Sequence, residues 1–336
     1  MSAQYLKAWA CGAVVVVLVL TVWFASDIFL MAFAGILFAI LLRTASDAIA
    51  RLTNLRAGVS LAITCIAILA LASVAGWFVA PNMSAEIDQL RTDLPPAWGE
   101  VAAWLHKSQW AGDVVDRIQR GGLSYRQAAG HFLSAFSTLV SALGGIVVVL
   151  FLGLYFAAEP GLYLRGVLKL VPKSAEERGD EVLCRTGQQL RYWLFGKLSL
   201  MAFVGISTSI GLWWLNMPLI LSLATLAALL DFIPNIGPII SAVPALLIAF
   251  TKGPVTALET LGLYVAVQVI ESYILQPLVQ KRAVSLPPSV TLLSQVLAGS
   301  LFGSLGLILA TPLTVAGLTL LKMLYVEDIL NKRPTA

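Results

Sequence analysis

The sequence predicts an all-α polytopic integral membrane protein: about five to six full spans, two broken or re-entrant helical hairpins in the C-terminal half, and a small external helical region. Three observations carry that prediction. Of 336 residues, 59% are hydrophobic and only 12% charged, where a soluble domain is about one quarter charged. The 22 basic and 18 acidic side chains cannot solvate a globule of this size, which excludes a soluble enzyme. Residues 8–26, 28–42, 57–85, 132–158, 198–230 and 283–321 contain no Asp, Glu, Lys or Arg, and about 20 such residues cross the hydrocarbon core as a helix. Finally, two of the longest apolar stretches are interrupted by proline and glycine.

The elements follow in chain order. Lys7 and the run Cys11–Phe24 resemble a signal peptide loosely, but Phe24-Ala25-Ser26 is a poor cleavage site and a second apolar run begins at Ile28, so residues 8–26 read as an uncleaved first span. Residues 1–80 then hold three N-terminal spans. The loop 43–56 carries Arg43, Arg51 and Arg56 against Asp47, and the loop 159–197 carries seven Lys or Arg; both are assigned to the cytoplasm. That places the N-terminus, with Lys7, inside.

Residues 81–131 become an extracytoplasmic region whose five basic residues are balanced by six acids. Leu94, Trp98, Val101, Trp104 and Leu105 recur at helical spacing, which predicts short amphipathic helices; Trp98, Trp104 and Trp110 read as interfacial anchors. Residues 132–158 return as a span. The segment 159–197 is a cytoplasmic helical loop, with 174–192 a solvated helix opened by Ser174-Ala-Glu-Glu.

The remainder, 198–322, is the expected transport core, followed by a cytoplasmic tail at 323–336. Leu198–Leu215 crosses outward from Lys197, and 255–277 crosses inward to Lys281 and Arg282. The stretch 217–251 therefore starts and ends on one face, and Pro234, Gly237 and Pro238 break it in the middle. The simplest solution is a helical hairpin that enters from outside. The same parity, Lys281/Arg282 to Lys322, makes 283–321 a second hairpin from inside, with Gly299, Gly303 and Gly306 at its centre and Pro312 beyond. Broken backbone at membrane depth persists only inside protein or beside a wet cavity, and two opposed broken segments point to a transport site.

The densest motif is Asp231-Phe-Ile-Pro-Asn-Ile-Gly-Pro. Pro234 and Pro238 remove backbone donors and Gly237 opens conformations closed to other residues. Carbonyls freed at one half-helix suit a cation, and amides freed at the next suit an anionic or polar solute. Asp231, the only charge between Lys197 and Lys252, reads either as a cap of the second half-helix or as a transport carboxylate. Asn235 reads as a turn-satisfying amide or a solute contact. Gln268, Glu271 and Gln276 on the next span add polar groups, with Glu271 either paired to Arg282 or part of the pathway.

This block, together with Gln276-Pro277 in Tyr-Ile-Leu-Gln-Pro-Leu-Val and the Gly-rich terminal segment containing Pro312, resembles the AI-2E (autoinducer-2 exporter, PerM-type permease) family. The resemblance implies a bacterial inner-membrane permease that forms a homo-oligomer; the basic loops, read as above, place both termini in the cytoplasm. The resemblance leaves the cargo open, since some members resemble autoinducer-2 exporters and others are described as sodium/proton antiporters.

The expected function is accordingly a secondary transporter of a small polar solute, autoinducer-2-like or other, driven by an ion or solute gradient. A monovalent cation/proton antiporter is the alternative, with protons or sodium ions as partners, and a non-transporting scaffold is the alternative of another class. No phosphate-binding loop is present to hydrolyse ATP. The carboxylates lack a GxGD or HExxH context, which argues against an enzyme. A net charge of +4 and a pI near 9.0 come from loop residues flanking spans, not from a nucleic-acid patch. Cys11, Cys65, Cys184, His106 and His131 form no ligand spacing, so neither metal nor cofactor is expected.

Overall fold

A computed structural model describes residues 25–70, 144–279 and 286–331, with isolated positions between 73 and 104. All regular structure among the described residues is helical. The expected first span, most of the external region and the Lys281/Arg282 loop lie outside them, as do Trp98, Trp110 and both histidines.

Helix α1, Ser26–Thr53, is 28 residues long and ends where Asn54 adopts φ 56°, a left-handed stop that asparagine tolerates. It continues through Arg43 and Arg51, so much of the expected cytoplasmic loop is helical extension. Helix α2, Ala57–Ala70, folds back on it. The reversal is fixed where the Ser60 hydroxyl donates to the Ser46 carbonyl at 2.5 Å, with both serines buried. Helix α3, Gly144–Ala158, crosses α1 at Gly35 and Gly153, where a Cβ on Gly153 would lie 2.9 Å from the Gly35 carbonyl. Without water to drive association, such close backbone approach is what holds helices together in lipid. Helix α4, Pro160–Leu168, departs from α3 at 85°.

Helix α5, Glu176–Trp214, runs 39 residues without interruption, about 58 Å at 1.5 Å per residue. The solvated helix expected at 174–192 and the span expected at 198–215 are one rod, so the domain boundary expected at Lys197 falls inside it. No proline or left-handed residue interrupts the junction, and Trp193, Leu194 and Leu200 are buried there. Its C-terminal end carries exposed Trp213 and Trp214.

Helices α6, Ile220–Leu230, and α7, Ile236–Thr251, form the first hairpin, separated by the turn at 231–235. Their open ends meet: Lys252 Nζ donates to the Asn216 carbonyl, and Met217, Leu219 and Leu223 pack on Ala245, Ile248 and Ala249. Chain ends brought together this way make a re-entrant element and not a crossing.

Helix α8, Pro254–Ile270, continues through a π-helical turn, Glu271–Leu275, into the short α9, Gln276–Val279. Helix α10, Pro288–Leu320, is helical in name along its length but reverses at Gly303, φ 63° and ψ −147°. A Cβ on Gly306 would lie 2.2 Å from the Ala298 carbonyl, and one on Gly299 lies 3.6 Å from Leu307 Cβ. Residues eight apart in a straight helix are about 12 Å apart, so the chain doubles back and α10 is the second hairpin. Pro312 is buried in its returning arm, which ends in a π-helical turn, Leu321–Glu327.

Among the described residues, four helices are long and apolar enough to cross a membrane, five if the bent pair α3–α4 is one span. Ser26–Thr53, Lys173–Trp214 and Pro254–Val279 do so as single rods, whereas Pro288–Glu327 folds on itself at Gly303. The chain is a multi-pass α-helical membrane protein whose core is gathered around α5.

Two described positions of the segment 81–131 touch the hairpin ends. Glu86 accepts the Ser222 backbone N–H at 2.7 Å in the first turn of α6, and Trp104 packs edge-on against Phe250 near the end of α7, with ring centroids 5.6 Å apart.

Candidate functional site

The turn of the first hairpin is built by local sequence. Asp231 is the residue that follows the last helical residue of α6, at φ −59°. Asn235 takes φ 66° immediately before α7. Gly237 sits in the first turn of α7 with Leu230 pressed against it: an added Cβ would lie 1.8 Å from the Leu230 carbonyl oxygen. Only glycine fits there. Pro238 lies in the first turn of α7, where a helix has no use for the amide that proline lacks.

The expected capping role of Asp231 is not what the structure shows. Helix α7 has no side-chain cap, and Asp231 stands at the C-terminal end of α6, where the helix dipole disfavours a carboxylate. Its compensation comes from α5. Lys197 Nζ donates to Asp231 Oδ2 at 2.8 Å and to Glu271 Oε1 at 3.5 Å. The three residues are at most 6% exposed. Glu271 opens the π-helical turn of the α8–α9 rod. Its partner is therefore Lys197; Arg282, the partner weighed from sequence, lies outside the described residues.

One ammonium against two carboxylates leaves one negative charge. Asp231 Oδ1 and Glu271 Oε2 are buried and accept no hydrogen bond. Removing an ion from water costs several kcal/mol, so an under-neutralised buried cluster has a standing demand for a cation or a proton. Close by in the chain fold, Gln295 on the first arm of α10 is fully buried and donates Nε2 to the Pro234 carbonyl at 2.8 Å. It ties the second hairpin to the turn of the first, and its Oε1 is again without a donor.

Two cavities lie beside α5, the first of them reaching the cluster at Lys197. One, of about 210 Å³, is lined by Lys197, Pro234, Asn235, Ser272, Gln276, Thr291 and Thr311, with Tyr192 and Trp193 on its wall. The other, of about 330 Å³ and mostly apolar, is lined by Val204, Thr208, Pro238, Tyr264 and Gln268. Their nearest lining residues on α5 are Leu200 and Val204, one helical turn or about 6 Å apart. Gln268 donates to Ser272 Oγ at 3.0 Å.

The residues named from sequence thus fall into three places. Asp231 and Glu271 join the ion cluster. Pro234, Asn235 and Gln276 line the first cavity. Pro238 and Gln268 line the second, while Gly237 holds the turn closed. Gly299, Gly303, Gly306 and Pro312 shape the second hairpin and belong to neither cavity's lining. Sequence reasoning missed Lys197, Gln295, Thr291 and Thr311. Lys197 had a signal, as the last cation before a charge-free run that contains no charge until Asp231. The polar residues of α10 had none beyond their presence in an apolar segment. No cluster of His, Cys, Asp and Glu suited to a metal ion occurs among the described residues.

With this geometry in hand, comparison with known proteins gives a consistent result. The profile described as "AI-2E family transporter" matches residues 13–325. Two Bacillus subtilis proteins named "Putative transport protein", YrrI and YueF, are 29% and 26% identical over 255 and 249 residues, covering 71% and 70% of this chain and 71% and 68% of theirs. A similarly named Mycobacterium tuberculosis protein, MT0215, is 29% identical over 71% of this chain and 67% of its own.

Proposed function

This chain belongs to the AI-2E transporter family, and on that premise we propose that it is a secondary transporter of a small polar solute, coupled to ion movement at Lys197, Asp231 and Glu271. The observation that carries the proposal is the buried three-residue ion cluster whose Lys197 lines one of two neighbouring cavities on α5. The first cavity offers amide and hydroxyl groups from Asn235, Gln276, Ser272, Thr291 and Thr311, which suit an uncharged, hydroxyl-rich molecule such as autoinducer-2. The second offers an apolar outer vestibule. Movement of the first hairpin relative to α5 would open one cavity while closing the other, and the Lys197 pair would break and re-form as it does.

The unpartnered carboxylate oxygens favour a second reading in which the cation is itself the cargo. A monovalent cation at Asp231 Oδ1 or Glu271 Oε2 would replace a proton there, giving cation/proton antiport. The basic loops 43–56 and 159–197 support cytoplasmic termini in a bacterial inner membrane, and the family resemblance supports a homo-oligomer.

Proteoliposomes with a trapped pH-sensitive dye separate these readings. Coupled solute transport predicts that autoinducer-2 moves faster under an imposed pH gradient and that Asp231→Asn removes the acceleration. Antiport predicts proton movement on adding sodium chloride alone. Absence of both fluxes in folded protein would leave the scaffold interpretation standing.

A further inference from the structure

Helices α1 and α5 pack through Leu30 and Leu37 against Leu190, Trp193 and Leu194. Next to this contact, from Ile40 onward, they line an open cleft of about 550 Å³ that shares no lining residue with either cavity of the solute route. Arg43 lines it from α1; Arg185 and Arg191 line it from α5. Among the described residues none of the three arginines forms an ion pair. Of the two acids in the cleft, Glu181 is already held at 2.6 Å by Arg178, which leaves Asp47 alone against three guanidinium groups. Arg43 Nε is buried without an acceptor, and its Nη2 reaches only the Ala158 carbonyl at 3.4 Å.

Three guanidinium groups lining a cleft with one unpaired acid repel each other unless an anion joins them. The level of the cleft says which anion is at hand. Arg43 is the first charge after the apolar run 28–42, so it marks the boundary of the hydrocarbon core, where lipid phosphates lie. Guanidinium forks match phosphate oxygens bidentately, and basic pockets between membrane helices are suited to acidic headgroups.

We propose that the cleft between α1 and α5 binds the phosphate of an acidic phospholipid, with Arg43, Arg185 and Arg191 as its ligands. Occupancy bridges α1 to the rod that carries Lys197, so the lipid fastens the N-terminal spans to the transport core. The proposal does not depend on the cargo or on ion coupling.

The test is thermal unfolding of delipidated protein in neutral detergent, titrated with phosphatidylglycerol, with phosphatidylcholine, or with millimolar inorganic phosphate. Phosphatidylglycerol should raise the melting temperature saturably and the other two should not. Arg43→Gln with Arg191→Gln should weaken the apparent lipid affinity about tenfold or more. Asp47→Asn, which removes the opposing acid, should strengthen it, a gain that misfolding cannot imitate. An equal rise with phosphatidylcholine or with inorganic phosphate would overturn the lipid assignment. So would an unchanged response in the double arginine variant, or a weakened one in Asp47→Asn.

Discussion

Lys197 Nζ and Asp231 Oδ2 lie 2.8 Å apart, both buried, although one is inside a 39-residue rod and the other is at the turn of a hairpin. The contact joins the longest of the described helices to the turn of the first hairpin. Its energy is asymmetric. Breaking a buried pair by removing one partner costs about 3–5 kcal/mol, whereas replacing the whole set by apolar groups is often neutral.

Lys197→Met should therefore be the most damaging single change in the cluster, since it leaves two unpaired carboxylates. Asp231→Asn should fold, because Lys197 retains Glu271. Adding Asp231→Asn and Glu271→Gln to Lys197→Met should recover most of the lost stability while pH-dependent flux stays absent. Melting curves and proteoliposome flux on the four proteins check this. Recovery of coupling in the triple variant would remove the cluster from the mechanism.

The first hairpin should expose both of its ends on one face. In a background lacking Cys11, Cys65 and Cys184, cysteines at Pro218 and Thr251 should react with the same impermeant thiol reagent added from the same side. Labelling from opposite sides would make the segment a single broken crossing.

Substitution of Gly237 by alanine should abolish folded protein, because the new Cβ would sit 1.8 Å from the Leu230 carbonyl. Gly303→Ala should cost about 1–3 kcal/mol, because φ 63° with ψ −147° is a conformation essentially confined to glycine. Gly262→Ala, where a Cβ meets nothing within 4 Å, should be neutral or stabilising by about 0.5–1 kcal/mol. Size-exclusion profiles and melting temperatures distinguish the three outcomes.

Trp104 and Phe250 should show a coupling of about 0.5–1.5 kcal/mol in a double-mutant cycle to alanine. Trp104, expected from sequence to anchor at the lipid interface, meets the Phe250 ring at the hairpin end. Additive single-mutant effects would leave interfacial anchoring as its role.

The charge-free runs made the membrane class legible, and the Lys/Arg parity with Pro234–Pro238 made the first hairpin legible, because both signals are local. Gly303 announced the second reversal for the same reason. The unity of α5 was not legible: the charge density drops at Lys197, and composition alone marks that as a boundary between loop and span. The ion cluster was half legible. Asp231 and Glu271 stand out as acids in apolar sequence, but their shared cation is 34 and 74 residues away, a tertiary fact with no local signature. Gln295 was invisible for the same reason, since its acceptor is a backbone carbonyl 61 residues distant.

Sequence separation in the cluster also sets an order of events during synthesis. Lys197 emerges 34 residues before Asp231 and 74 before Glu271, an interval of about 2–7 s for the shorter gap at ordinary translation rates. Throughout it the ammonium has no counter-ion of its own. Helix α5 must therefore wait at the water-facing edge of the insertion machinery, or slide outward, until the first hairpin delivers its carboxylate. Full-depth seating of the longest rod is thus a late step, licensed by residues not yet made when the rod itself is finished.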